Sequence, residues 1–316
     1  MKNYRIKLSI CILAAIALWG CGRNPVGDEP AVTGKPELKG KLVFHSYTSY
    51  DTGDSQIFLY DFETNKLEQI SSGWNISNAM NAHFSPDGKS IVFMGIGAET
   101  NTWDIFLYDF TAAPPRNLTV NGSTRDEDPK FSPDGKRIAF KRDFRVAEMD
   151  LETLNVTILS PADYSMPYYN ADGTRLICSK GDGATSSIAV IDIKSKTVKT
   201  LYDEPGVQDY YPINADETSF YYSRGYAASN RVDQVYRGYW NGLKSKRLPF
   251  NSTDGDYSDA YPVNEKWVVI SSTRTGSLGG YDLYIANVES GDIFPMTDYH
   301  PKINTSKNEL GATVHL

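Results

Sequence analysis

Acids, aromatics and cations recur in this chain at fixed offsets from a proline, the pattern from which a binding surface is built. Three residues before the proline stand Asp126, Asp209, Asp259 and Asp298. One residue before it stand Asp128, Met166, Tyr211, Tyr261 and His300. A second set, Arg142, Lys180, Arg224 and Arg274, ends the strands that follow. Rings with hydrogen-bonding neighbours suit a sugar, a peptide end or a small polar ligand. The same residues also have a structural use, since a repeat can cap each loop with an Asp and pair it with an Arg. The spacing leaves both readings open.

Other chemistry finds less support. Asp254, Asp256 and Asp259 offer clustered oxygens for a hard cation, at a spacing that fits no standard calcium loop. His45, His83 and His300 fall near strand ends, at different positions within the repeat. A three-histidine metal site would resemble that of propeller lyases acting on pectin fragments, but such a site needs matched positions. No Gly-x-Ser-x-Gly elbow appears, and no carboxylate pair is placed for acid–base work. No metal, cofactor or catalytic residue is therefore assigned.

Positioning these groups requires a repeated scaffold. Phe84-Ser85-Pro86-Asp87-Gly88-Lys89 and Phe131-Ser132-Pro133-Asp134-Gly135-Lys136 are strand ends running into tight turns, each followed by an apolar run. Weaker copies begin at Tyr169 and Ile213. The turn positions Asp87, Asp134, Asp172, Asp216 and Asn264 are spaced 47, 38, 44 and 48 residues apart. Periods of that length built from short strands indicate propeller blades. Third strands such as Gln56–Asp61 and Asp104–Asp109 follow, then short fourth strands at 67–70, 117–120, 156–159, 198–201, 245–248 and 293–296. The expected fold is all-β: a six-bladed β-propeller of four-stranded blades over residues 40–316. Blade one lacks its first strand, so the carboxy terminus should close the ring. His300–Asn304, which matches Asp128–Ser132, is the expected closing strand. Leu310–Val314 has no fixed place and could pair beside Leu42–Phe44.

The amino terminus reads as an address. Residues 1–20 carry Lys2, Arg5 and Lys7 before an apolar run from Leu8 to Leu18, a signal peptide. Leu18-Trp19-Gly20-Cys21 resembles the lipobox of bacterial lipoproteins, which implies lipidation at Cys21 and anchoring by several acyl chains. Gly22 is not the Asp that retains such proteins at the inner membrane, so the resemblance implies the outer membrane, facing periplasm or cell surface. Residues 21–39 read as a flexible tether. Cys178 has no partner for a disulfide and should be a small buried hydrophobe. Of the 32 Lys and Arg, three leave with the signal. That puts 29 bases against 39 acids, a charge of −10. Such a surface repels phosphate backbones, so nucleic acid is not an expected partner.

The Ser-Pro-Asp-Gly-Lys turns, with the following Asp-Ile-Phe-Leu-Tyr-Asp strand, resemble the repeats of the TolB-type six-bladed propeller family. Ser272–Tyr284 is similar to a related repeat found beside peptidoglycan-binding domains in outer-membrane proteins. The resemblance spans roughly residues 40–304 and implies fold more than role, because TolB-type chains carry an α/β domain where this one has its tether. The expectation is a monomeric, lipid-anchored envelope propeller without catalysis, binding a peptide, an envelope protein or a glycan. The alternative is a polysaccharide-active enzyme using a channel carboxylate or metal.

Overall fold

The hairpin turns that open each repeat are built by their own side chains. Ser85 and Ser132 donate to Asp87 and Asp134 at 2.7 and 2.5 Å, and the Gly88 and Gly135 amides close back on the serine carbonyls. Gly88, Gly135 and Gly173 sit at φ of 67, 69 and 68°, a region that only glycine adopts without strain. Each turn therefore reverses the chain at a set residue and fixes the strand register on both sides.

A computed structural model describes residues 34–120, 123–181, 185–226 and 232–316. The expected signal peptide, the lipidated Cys21 and most of the tether lie outside the described residues. The strands form six antiparallel four-stranded sheets. Their innermost strands are Ile76–Phe84, Asp126–Phe131, Tyr164–Tyr169, Val207–Asn214, Tyr257–Pro262 and Asn308–His315. Each touches the next around a ring. We number the blades from the one containing Lys41–Tyr47, so that the inner strand Asn308–His315 belongs to blade 1. One apolar cluster fills each of the six spaces between neighbouring blades, with Phe93, Phe140, Tyr222, Ile270 and Phe44 among the buried anchors. This is why the strands are apolar on both faces. Cys178 is buried in the cluster between blades 3 and 4, and desolvation pushes its thiol up.

Closure from the carboxy terminus holds, but the segment differs from the one expected. Asn308–His315 pairs with Lys41–Tyr47, with Leu42 opposite Val314 and His45 opposite Leu310. His300–Asn304 instead follows a 3-10 turn, Met296–Asp298, and completes blade 6. The Asn304 side chain accepts from the Leu283 amide and donates to its carbonyl, both at 2.9 Å. The same service to the third strand is performed by Ser71, Thr119, Ser160 and Asn251 in other blades. The likeness to Asp128–Ser132 was one of residue types, while the hydrogen-bonding role is that of an after-strand cap. In blade 2 the fourth strand also forms earlier than expected, at Ala112–Asn117, because Asp109 caps a turn directly before it.

Candidate functional site

Every inner strand carries one extra residue at mid-length, and that of blade 2 carries a second between Ser77 and Met80. Pairing with the second strand jumps between Met80 and His83, Glu127 and Lys130, Ser165 and Tyr168, Tyr210 and Ile213, Ser258 and Tyr261, and across Gly311 in blade 1. The first bulge residue takes positive φ throughout: Asn81, Asp128, Met166, Tyr211 and Asp259 at 51 to 55°, and Gly311 at 60°. For non-glycine residues this is a costly conformation that surrounding structure must enforce. Here the preceding blade accepts the bulge amide. His45 Nδ1 takes Asn81 N–H at 3.4 Å, Met94 Sδ takes Asp128, Met166 Sδ takes Tyr211, and Ser223 Oγ takes Asp259 at 3.3 Å. Gly311 cannot be replaced freely, since a Cβ there would lie 2.6 Å from the His45 ring.

The bulges build the middle layer of a central channel. Asn81 Nδ2 donates to Asp128 Oδ1 at 2.8 Å and to Tyr211 Oη at 2.6 Å, and Tyr211 Oη donates to the same Asp128 oxygen at 3.1 Å. Blades 2, 3 and 5 are thus tied across the axis. Asp128, Lys130 and Asp259 are each 7% exposed. Burial lowers the Lys130 ammonium below its ordinary range and pushes Asp259 up to about 7. Lys130 and Asp259 line a cavity of about 20 Å³ together with Tyr168, Tyr211 and Tyr261. That is room for about one water.

Two residues along, uncharged groups from blades 2, 4 and 6 close the channel, while Lys130 at the same position in blade 3 stands near enough to help lower His83. His83 Nδ1 accepts the Phe131 amide at 3.2 Å, so the proton sits on Nε2 and is donated to Tyr168 Oη at 3.0 Å. Tyr168 is hydrogen-bonded in turn to the Tyr261 hydroxyl. Alternate blades 2, 4 and 6 therefore meet on the axis. Burial holds His83 and His45 down at about 3, so both rings are neutral. Outside this septum, on the hairpin-turn face, opens a funnel of about 220 Å³. Its walls are Phe84, Phe131, Tyr169, Tyr261, Pro86 and Pro133.

The residues singled out by offset from proline divide between these places. Asp128, Tyr211 and Asp259 share the middle layer, while Tyr261 lies lower, in the septum. The proline alignment fails in blade 6. Pro129, Pro167 and Pro212 take the second bulge position, but Ala260 takes it in blade 6 and Pro262 ends the strand. Asp259 is thus the counterpart of Asp128, and Tyr261 that of Lys130. Asp126 and Asp209 are spanned by bidentate guanidinium pairs from Arg142 (2.9 and 2.9 Å) and Arg224 (2.7 and 2.9 Å). The Asp126 hydrogen bonds raise Arg142 above its ordinary value. Glu309, not singled out by sequence, takes the equivalent place in blade 1 and accepts from Ser46 at 2.8 Å. Lys180 lies opposite Tyr164 and beside a hollow between blades 4 and 5, away from the axis. Arg274 lies over the Tyr284 ring, 5.5 Å from its centroid.

Asp298 and His300 are off the ring of inner strands. The Asp298 carbonyl accepts from Lys35, and His300 packs on Tyr60. With His45 under Gly311, His83 in the septum and His300 in the tail, the three histidines share no site. Asp254 and Asp256 turn to Tyr257 and Tyr281, away from Asp259. Among the described residues no group of three metal-ligating side chains gathers. Lys130, Asn81 and Tyr168 were missed because the signal was counted from proline, and His83 was weighed only as a metal ligand; counting from the bulge finds all four.

Comparison with known proteins adds to this. A family model described as the TolB beta propeller domain matches residues 39–212. TolB from Acinetobacter baumannii is similar over 88% of this chain and 67% of its own, at 19% identity and a TM-score of 0.68. Putative TolB from Agrobacterium tumefaciens is similar over 82% and 89%, at 14% identity and 0.61. An oligogalacturonate lyase in complex with manganese covers 82% and 74%, at 17% identity and 0.52. Likeness at these identities is a likeness of fold. No curated protein matches the chain.

Proposed function

Because the chain belongs to the TolB beta propeller domain family, we propose that it is a non-catalytic binding propeller of the bacterial envelope. In this reading Cys21 carries the lipid that anchors a monomer to the outer membrane, and the funnel takes the end or side chain of a peptide or envelope protein. The observation that carries it is the funnel itself: an aromatic hollow floored by a closed, hydrogen-bonded septum. Its polar side chains are mostly committed already. Tyr169 donates to Glu148, Asn170 bonds Asp172 and the Arg175 amide, and Ser85 and Ser132 bond their turn aspartates. Sugar hydroxyls would find few free partners there, and a uronate would find no lysine or arginine on the walls. An apolar side chain loses nothing by entering. A glycan is therefore the weaker ligand.

The test uses the full-length protein to capture partners from envelope extract. Ala171, exposed at the funnel rim, is changed to Arg, and Lys180→Glu on the opposite face serves as the control. Partners retained by the parent and by K180E should be lost by A171R, with melting temperature unchanged. Loss in K180E alone would move the site to the other face. Uronic-acid oligosaccharides offered to the same preparation, with and without chelator, test the enzymatic reading. Chelator-sensitive product would overturn the non-catalytic one.

A further inference from the structure

The chain enters the ring over a short segment that is itself part of the fold. Lys35 to Leu316 form one compact unit. Leu38 packs against the apolar cluster between blades 6 and 1, as do Phe62 and Tyr299. The Tyr299 hydroxyl donates to the Pro36 carbonyl at 2.6 Å. The Lys35 ammonium lies 4.5 Å from the centre of the Tyr299 ring and donates to the Asp298 carbonyl. Gly40 then turns the chain into Lys41–Tyr47 at a φ of 74°, its carbonyl accepting from the Phe62 amide at 3.0 Å. A Cβ on Gly40 would stand 2.1 Å from the His315 carbonyl, so the segment ends hard against the end of the closing strand. On its other side His315 meets blade 2: its ring fills the place of a side chain at Gly88, and its Nε2 is 3.1 Å from the Pro86 carbonyl. His315, Val314 and Pro86 all line the funnel. One residue thus joins the entering segment to the funnel wall.

We propose that residues 35–39 are a latch on the funnel. Clipped to Tyr299, they hold Gly40 against the closing strand and keep His315 in the funnel wall; released, they free that side of the wall. Few contacts hold them: a hydrogen bond from a phenol, an ammonium on a ring and one apolar side chain. A segment held so lightly opens by itself, at a cost well below that of unfolding the ring. Whatever draws on the chain before Lys35, the proposed lipid anchor included, then acts on the funnel through this contact. The inference rests on the reading of the funnel as a binding site, and its tests use no ligand, so that either can fail without the other.

Leu38→Gln in the full-length chain removes the apolar hold and leaves the seat on Tyr299 in place. Cleavage after Glu37 by a glutamyl endopeptidase and exchange of the Phe62 amide should both become about tenfold faster than in the parent. Tyr299→Phe, which gives up only the bond to Pro36, should move both in the same direction by less. The Val146 amide, held by Ser160 in blade 3, should exchange as in the parent. Unchanged rates at Glu37 and Phe62 overturn the latch, and so does an equal acceleration at Val146, which would make the segment part of the whole ring's cooperative fold. Coupling to the funnel is read by NMR from His315, one of four histidines. Its ring resonances should move in L38Q while those of His83, in the septum, stay. A His315 ring that keeps its parent resonances overturns the coupling.

Discussion

The middle and lower layers of the channel are made by the same six strands, two residues apart, and they close it by different chemistry. The middle layer ties Asn81, Asp128 and Tyr211 together beside the buried Lys130 ammonium and a second buried acid, Asp259. The lower layer joins His83, Tyr168 and Tyr261 through neutral groups alone. Charge in a closed compartment is stable only while every partner stays in place, whereas a neutral hydrogen-bonded closure tolerates change. The middle layer is therefore suited to fix the ring, and the lower one to serve as the floor of a site.

The most drastic way to break this contrast is to remove the strand that both layers share. Ending the chain at Lys307 takes away Gly311 from the middle layer and Thr313 from the lower, and strips Lys41–Tyr47 of its partner. Two strand edges are then exposed, an invitation to aggregation. No monomeric folded species should survive size-exclusion chromatography. A truncated chain that stays monomeric and melts as the parent does would show that closure does not depend on this strand.

Selective substitutions sharpen the contrast. Lys130→Met keeps the volume but leaves Asp128 and Asp259 facing one another, at an expected cost of about 3–5 kcal/mol at pH 8. Tyr168→Phe removes one hydroxyl from the neutral septum, which should cost only about 1 kcal/mol. Chemical denaturation measures both. Equal losses would mean that the two layers do not differ in the way their charges suggest.

That contrast was only partly legible in the sequence. The turns around Asp87 and Asp134 could be read because proline, aspartate and glycine each have a stated backbone preference, and the blade count followed from their spacing. The bulges could not be read. Positive φ is a habit of asparagine and glycine, but Tyr211 adopts it because Met166 of the blade beside it accepts its amide. Alignment on proline worked where Pro129, Pro167 and Pro212 fill the second bulge position and failed where Ala260 does. His300–Asn304 misled for the related reason that residue type resembled an inner strand while Asn304 served as a cap. Long-range partners set both outcomes, and a single chain does not display them.

The smallest expected effect lies in acid and separates the layers by the sign of their pH response. His83 is held near 3 in the folded chain, against 6.5 when unfolded. The unfolded chain therefore takes up a proton first, and stability falls as pH drops below 6.5. For one histidine the loss between pH 7 and 5.5 is about 1 kcal/mol. His83→Gln keeps a donor for Tyr168 and removes that share, while His45, buried under Gly311, retains its own. The acid limb of the stability curve should become shallower in H83Q, while the fall in stability that Asp259, raised by burial to about 7, imposes as pH rises towards neutrality stays unchanged. If H83Q altered both limbs together, the septum and the charged compartment would be one coupled unit.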